Sequence, residues 1–165
     1  MKFGGTSVGS ASAMLRVKQI VEQSAEPTIV VVSAMGGITD RLIRTAKMAS
    51  SGDENYLGEL QFIIDKHHTT IAELMGDSAL AQEIRTKVDA MIDELSNIYK
   101  GIFLIKDLSE RTRDTIVSYG ERLSSTIIAA VIDGAELKDS RSIIRTTHYY
   151  DKHIVDFEQT NERIR

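Results

Sequence analysis

Cysteine is absent from the 165-residue sequence, which removes disulfides and thiolate metal sites from consideration. Its absence also fits a reducing cytoplasm. Proline occurs once, at Pro27, a scarcity that favours long uninterrupted helices over many short turns. No apolar run approaches the ~18 residues of a membrane span. No basic-then-apolar leader opens the chain, and there are no internal repeats or low-complexity stretches. Positive charge is not in excess. The formal net charge is −4, so there is no basic footprint for nucleic acid. What remains is an ordinary globular balance, 42% apolar and 27% charged residues, in a chain long enough for one domain with a real core.

Periodicity supplies the elements. In "GSASAMLRVKQIVEQS", residues 9–24, Met14, Val17, Ile20 and Val21 recur at helical steps, and Ser10 or Ser12 is placed to cap the helix. Ile29 to Val32 form a β-branched run between Pro27 and the pair Gly36-Gly37. That is the pattern of a strand buried on both faces of a parallel sheet. Residues 38–52 predict a second helix closed by Gly52. Two long helices follow, over 54–75 and 78–105. Leu60, Ile63, Ile64, Ile71 and Leu74 line the first. Ile84, Val88, Met91, Leu95, Ile98 and Ile102 line the second at alternating steps, which keeps one stripe facing a partner. With "MGDS" as the turn, 54–105 reads as an antiparallel helical hairpin. Residues 109–132 predict another helix, begun by Ser109 and Glu110 and ended by Gly134. "SRSIIRTT" predicts a strand, and "FEQTNERIR" begins a helical pattern.

Strands alternating with helices argue for an α/β fold with a parallel sheet. Two strands and a fragment cannot cover this much helix. The residues are therefore expected to be a piece of a larger domain whose sheet continues downstream. Only Met1 to Phe3 precede Gly4, so the first strand is either a stub or short of a few residues.

Three stretches carry chemistry. In Lys2-Phe3-Gly4-Gly5-Thr6-Ser7 neither the Walker order nor GxGxxG is present, yet the parts suit a phosphate. Two residues without Cβ let the main chain approach an anion, a helix N-terminus faces it, and Lys2 offers a cation to charge developing in phosphoryl transfer. The plainer alternative is a tight turn beside an exposed lysine. Val32-Ser33-Ala34-Met35-Gly36-Gly37-Ile38-Thr39-Asp40 repeats the logic, with Ser33 at the carboxyl end of a strand, where open α/β sheets bind ligands. Thr39 has a hydroxyl for a carboxylate or phosphate. The alternative is that Thr39 or Asp40 merely caps the helix. Two such turns side by side would make a shared anion site. In Tyr119-Gly120-Glu121-Arg122-Leu123-Ser124, a mid-helix glycine costs about 1 kcal/mol against alanine. It therefore marks a close approach by a helix or a ligand. Glu121 beside it can pair with a substrate ammonium, or simply sit in an exposed Glu-Arg pair over a packing glycine.

Adjacent His67 and His68 face different ways on a helix. His148 and His153 read as lying in a polar loop. No ligand spacing of the HExxH kind exists, so no histidine is assigned to a metal. The methionines at helical spacing read as core fill.

In this order, "KFGGTSV", "VVSAMGGITD" and "YGERLS" resemble the signatures of aspartokinase, within the amino acid kinase superfamily. The resemblance runs over essentially the whole chain, including "DSRSIIRT", and over about the first half of that family's catalytic domain. It implies the N-terminal portion of the amino acid kinase (carbamate kinase-like) fold over 1–165. It also implies transfer of the γ-phosphoryl of ATP, with Mg2+, to the β-carboxylate of L-aspartate, the first step toward lysine, threonine and methionine. Lys2 would be catalytic. Lys2, Phe3, Gly4 and Gly5 would hold the nucleotide's phosphates. Ser33 and Thr39 would hold aspartate, and Glu121 its α-ammonium. The family's later "GRGGSD"-type stretch, its adenine-binding half and its ACT domains are absent from these residues. The residues are thus expected to hold half a site and to be inactive alone. Some members continue into a homoserine dehydrogenase. The complete protein is expected to be a cytoplasmic homo-oligomer, with no nucleic acid or membrane partner. Two alternatives stand beside this: another acyl-phosphate-forming kinase acting on glutamate or a carbamate, and a non-catalytic helical interaction module that uses 54–105 as its surface.

Overall fold

In the computed structural model, which describes residues 1–149 and 152–165, strand β1 (Lys2–Phe3) runs parallel to β2 (Val31–Val32). Lys2 lies opposite Val31 and Phe3 opposite Val32. Main-chain bonds from Val31 N–H to Met1 O and from Ser33 N–H to Phe3 O extend the ladder. Parallel neighbours need a crossover, and helix α1 (Ala11–Glu22) provides it. Ser10 caps α1 by accepting from Ala13 N–H. The chain then continues through α2 (Ile38–Ser50), α3 (Tyr56–Met75), α4 (Ala79–Ile105) and α5 (Glu110–Val131). Ser78 and Ser109 cap α4 and α5 in the same way.

These elements form one compact unit, Met1–Ala135. Helix α4 packs against α2, α3 and α5, and the core lies between them. Leu42, Ile63, Ile71, Val88, Leu95, Tyr99, Ile116, Leu123 and Ile127 are wholly buried there. The hairpin stripe therefore faces inward, which removes the exposed surface that an interaction module needed. Its register is slightly rotated from the sequence reading. Ile92 and Tyr99 are buried, whereas Met91 and Ile98 are only partly so. The Tyr99 hydroxyl donates to Leu42 O at 3.0 Å, a bond that lets a polar ring sit in the middle of the core. Burial raises its pKa.

Three expectations are corrected in this unit. Ile20 is 49% exposed, because Met14, Val17 and Val21 already fill the inward face of α1. The run 29–32 is not a strand buried on both faces. Only Val31–Val32 is strand, Ile29 is 83% exposed and Val31 53%. Val32 turns toward the helices while Val31 turns away from them, so this unit covers one face of the sheet only. The helix expected from residue 9 starts at Ala11, where Ser10 caps it.

The second unit, Glu136–Arg165, holds α6 (Ser140–Ile143), β3 (Thr146–Tyr149), β4 (Lys152–Val155) and α7 (Phe157–Ile164). "SRSIIRTT" was expected to be a strand throughout, but its first half is a helical turn. The Asp139 carboxylate accepts from Arg141 N–H and starts that turn. The strand follows from Thr146 and pairs antiparallel with β4, not into a parallel sheet. His148 and His153 stand opposite each other in this ladder, and not in a loop. Tyr150 and Asp151, between them, lie outside the described residues. Asp156 caps α7 by accepting from Gln159 N–H, and Thr160 is buried against the Arg145 main chain.

Candidate functional site

Both strands of the parallel pair end in glycine turns, and the turns touch main chain to main chain. A Cβ on Gly5 would stand 2.9 Å from the Ala34 carbonyl oxygen. One on Gly9 would stand 3.0 Å from the Gly5 oxygen, and one on Gly36 3.4 Å from that same oxygen. Side chains at these positions would drive the turns apart. The sequence placed the two turns side by side, and this contact is that juxtaposition.

The turns carry spare donors. The N–H groups of Gly5, Thr6, Gly36 and Gly37 find no acceptor among the described residues. Helix α2 begins at the second turn with Gly37 in the left-handed region (φ 79°) and no side-chain cap. Neither Thr39 nor Asp40 caps it, unlike the serines that cap α1, α4 and α5. A bare helix start beside unspent main-chain N–H groups has the electrostatics that an anion seeks.

Lys2, the first residue of β1, is exposed. Its ammonium lies 3.9 Å from where a Cβ on Gly4 would be, so it stands over the first turn. It makes no ion pair among the described residues. Phe3 contributes differently. Its ring packs against the core and its carbonyl is taken by Ser33 N–H, so it fixes the register of the two turns.

Helix α5 closes on the second turn. A Cβ on Gly120 would meet the Ala34 Cβ at 2.7 Å, so the close approach marked by the mid-helix glycine is made by the turn after β2. One residue on, Glu121 Oε1 accepts from Ala34 N–H at 3.3 Å. Ser124, wholly buried, donates from Oγ to Ser33 O at 2.8 Å. Ser33 and Glu121, far apart in sequence, are thus neighbours. The hydroxyls of Ser33 and Thr39 are half-buried and unspent among the described residues. Lys2, Gly4, Gly5, Ser33 and Glu121 are therefore gathered around one pair of turns, and Thr39 stands in the first turn of α2.

The Glu-Arg pair weighed in the sequence does not form. Arg122 instead reaches Glu94 on α4 at 3.5 Å and lies 4.2 Å over the Tyr119 ring. The Tyr119 hydroxyl donates to the same Glu94 at 2.9 Å. Burial is the main reason its pKa is raised. Sequence reasoning included Ser124 in the third stretch but gave it no role, although it stands four residues after Gly120, on the same helix face. It passed over Tyr119 and Glu94 as well, whose partnership crosses two helices and leaves no local signal. His67 and His68 do diverge. His67 bonds to Ile63 O in the core, and His68 reaches Asp89 at 2.6 Å. Among the described residues no three His, Asp or Glu side chains gather as a metal site, and no helix is long and apolar enough to cross a membrane.

Known proteins resemble this chain in sequence and in fold. A profile of the Amino acid kinase family matches residues 1–163. Aspartokinase 1, chloroplastic, of Arabidopsis thaliana is 35% identical over 84% of this chain and 24% of that protein. Bifunctional aspartokinase/homoserine dehydrogenase 1, chloroplastic, of the same plant is 28% identical over 98% of this chain and 19% of that protein. Among solved structures, E. coli aspartokinase III in complex with aspartate and ADP (R-state) superposes with a TM-score of 0.83. It is 26% identical, and the match covers 98% of this chain and 35% of that one. The chain thus spans about a quarter or less of the curated relatives, 24% and 19%, and about a third of the solved neighbour, 35%.

Proposed function

The chain belongs to the amino acid kinase family, and on that premise we propose that it is the N-terminal portion of an aspartate kinase, carrying the phosphoryl-transfer turns and part of the amino-acid site. The observation that carries this reading is the pair of touching glycine turns, with four unspent N–H groups beside an unpaired lysine. The donor set fits a phosphoryl group. It is cationic, main-chain rich and open where a Cβ would otherwise stand.

The proposed chemistry follows from charge. In transfer to aspartate, the bond from the γ-phosphorus to the bridging oxygen of ADP breaks, and one to a β-carboxylate oxygen forms. Negative charge spreads over the equatorial oxygens. Lys2 and the N–H groups of Gly4, Gly5 and the α2 start would stabilise that charge without reorganising. Mg2+ would arrive on the nucleotide's phosphates, as such ions commonly do, and neutralise charge there. Glu121, with one carboxylate oxygen held by Ala34 N–H, would present the other to the α-ammonium of aspartate. Ser33 and Thr39 have hydroxyls free for the acceptor's carboxylates. The E. coli neighbour, a complex with aspartate and ADP, supports this pair of ligands.

On this proposal the adenine-binding half would lie in other residues, and the 165-residue chain alone would be inactive. The complete protein is proposed to be a homo-oligomer of the cytoplasm, feeding lysine, threonine and methionine synthesis. The test uses the complete protein with MgATP and hydroxylamine, which traps an acyl phosphate as a hydroxamate. Hydroxamate formed with L-aspartate and not with L-glutamate supports the proposal. Glutamate alone as acceptor favours the other acyl-phosphate kinase, and no product with either overturns the reading.

A further inference from the structure

We propose that Ser124 is a positioning residue for the amino-acid acceptor, acting by locking Glu121 to Ser33. The inference rests on the reading of Ser33 and Glu121 as acceptor-holding residues.

The Ser124 side chain is wholly buried at the crossing of α5 and the end of β2. Its hydroxyl has one proton and two carbonyls within reach, Ser33 O at 2.8 Å and Glu121 O at 3.2 Å. Carbonyls can only accept, so the shorter contact takes the proton and the longer one shares it. A single hydroxyl therefore ties the main chain of Ser33 to the main chain of Glu121. No strand partner competes for the Ser33 oxygen. The parallel ladder would next bring Gly5 N–H to it, but the chain has already turned, and that bond is not made. Without Ser124 this carbonyl would be left without its donor beside the core.

The lock also has a direction. Gly120 and Ser124 are four residues apart on one helix face. Gly120 lets α5 touch Ala34, and Ser124 pins the next turn to Ser33. Glu121 lies between these two fixed points, and its Oε1 reaches Ala34 N–H at 3.3 Å. Rotation or sliding of α5 would move the carboxylate relative to the Ser33 hydroxyl, and the two would no longer meet one amino acid. Lys2 and the first turn are attached to β1 and are not tied by this bond. The effect of losing it should fall on the acceptor and spare the nucleotide.

The test compares Ser124→Ala and Ser124→Cys with Glu121→Ala in the complete protein, by steady-state kinetics and thermal unfolding. Cysteine leaves no cavity, being slightly larger than serine, but donates weakly. Both Ser124 variants should raise KM for aspartate about tenfold, the scale of one lost buried hydrogen bond. KM for ATP should stay within about twofold. Aspartate KM unchanged in both overturns the proposal. So does a rise in both KM values that cysteine restores together with Tm, since packing alone would then account for it. If Glu121→Ala raises aspartate KM while the Ser124 variants do not, only the lock falls. If Glu121→Ala leaves it unchanged, the acceptor-site reading falls and the lock with it.

Discussion

Gly120 and Ala34 stand so close that a Cβ on the glycine would lie 2.7 Å from the alanine's Cβ. Leu42 Cδ1, at 3.4 Å from the same point, closes the other side. Helix α5 thus reaches the turn after β2 because one methyl group is missing. Gly120→Ala gains about 1 kcal/mol in helix propensity but overpacks a rigid contact, which costs about 1–3 kcal/mol. A net loss of stability on denaturant unfolding is expected. Ala34→Gly in the same chain should restore it, because the clash needs both methyl groups. Equal losses with and without Ala34→Gly would mean that the pair is not what limits the approach.

Gly5→Ala tests the contact between the two turns. Its Cβ would meet a backbone oxygen, Ala34 O, at 2.9 Å, and backbone cannot swing aside as a side chain can. The variant of the complete protein should fold with a loss of about 1–3 kcal/mol and bind ATP more weakly, by about tenfold or more in calorimetry. Unaltered ATP binding would separate the first turn from the nucleotide.

Lys2→Ala addresses the transferred group. Lys2 is exposed and bears no ion pair among the described residues, so its removal should leave Tm unchanged. A cation that acts on developing charge is lost from kcat: a fall of about 10²–10³-fold is expected, with a much smaller change in KM for ATP. Wild-type kcat in stopped assays of the complete protein would remove the lysine from the mechanism.

His67 predicts a pH dependence of stability. Ile63 O, at 2.7 Å from Nδ1, can only accept, so Nδ1 carries the proton and Nε2 is a buried lone pair with no partner among the described residues. Burial lowers the pKa from 6.5 to about 4, against the opposing pull of the Ile63 carbonyl. In this window the unfolded chain binds more protons than the folded one. Stability is therefore fully present above 6.5 and is lost as pH falls toward 4. The loss between about pH 7 and about pH 5 should be about 2 kcal/mol. His67→Leu should flatten it, as read by denaturant unfolding at both values. An unchanged slope would assign the pH dependence to other groups.

Tyr99→Phe isolates one bond in the middle of the core. The ring stays buried while the hydroxyl bond to Leu42 O is lost. The Leu42 carbonyl keeps its place in the helix, so a loss of about 1 kcal/mol is expected. Thermal unfolding reads it directly, and no loss would mean that the ring alone holds α4 to α2.

The sequence by itself determined the elements whose cause is local. The hairpin 54–105, α2 and α5 were legible because a repeated apolar step and a capping serine or closing glycine act within a few residues of one another. The two glycine turns were legible for a similar reason, since residues without Cβ after a β-branched run have few other uses. Where a second segment decides, the reading failed or stopped. Asp139 turned the start of "SRSIIRTT" into helix, and Ile29 and Val31 lie exposed because no helix of their unit covers that face. Only the tertiary structure decided that Gly120 is a contact with Ala34, that Arg122 turns to Glu94 rather than Glu121, and that Ser124 holds Ser33 to α5. Each of these is settled by which side chain happens to stand across a gap, and a gap between elements distant along the chain has no period, spacing or composition to announce it.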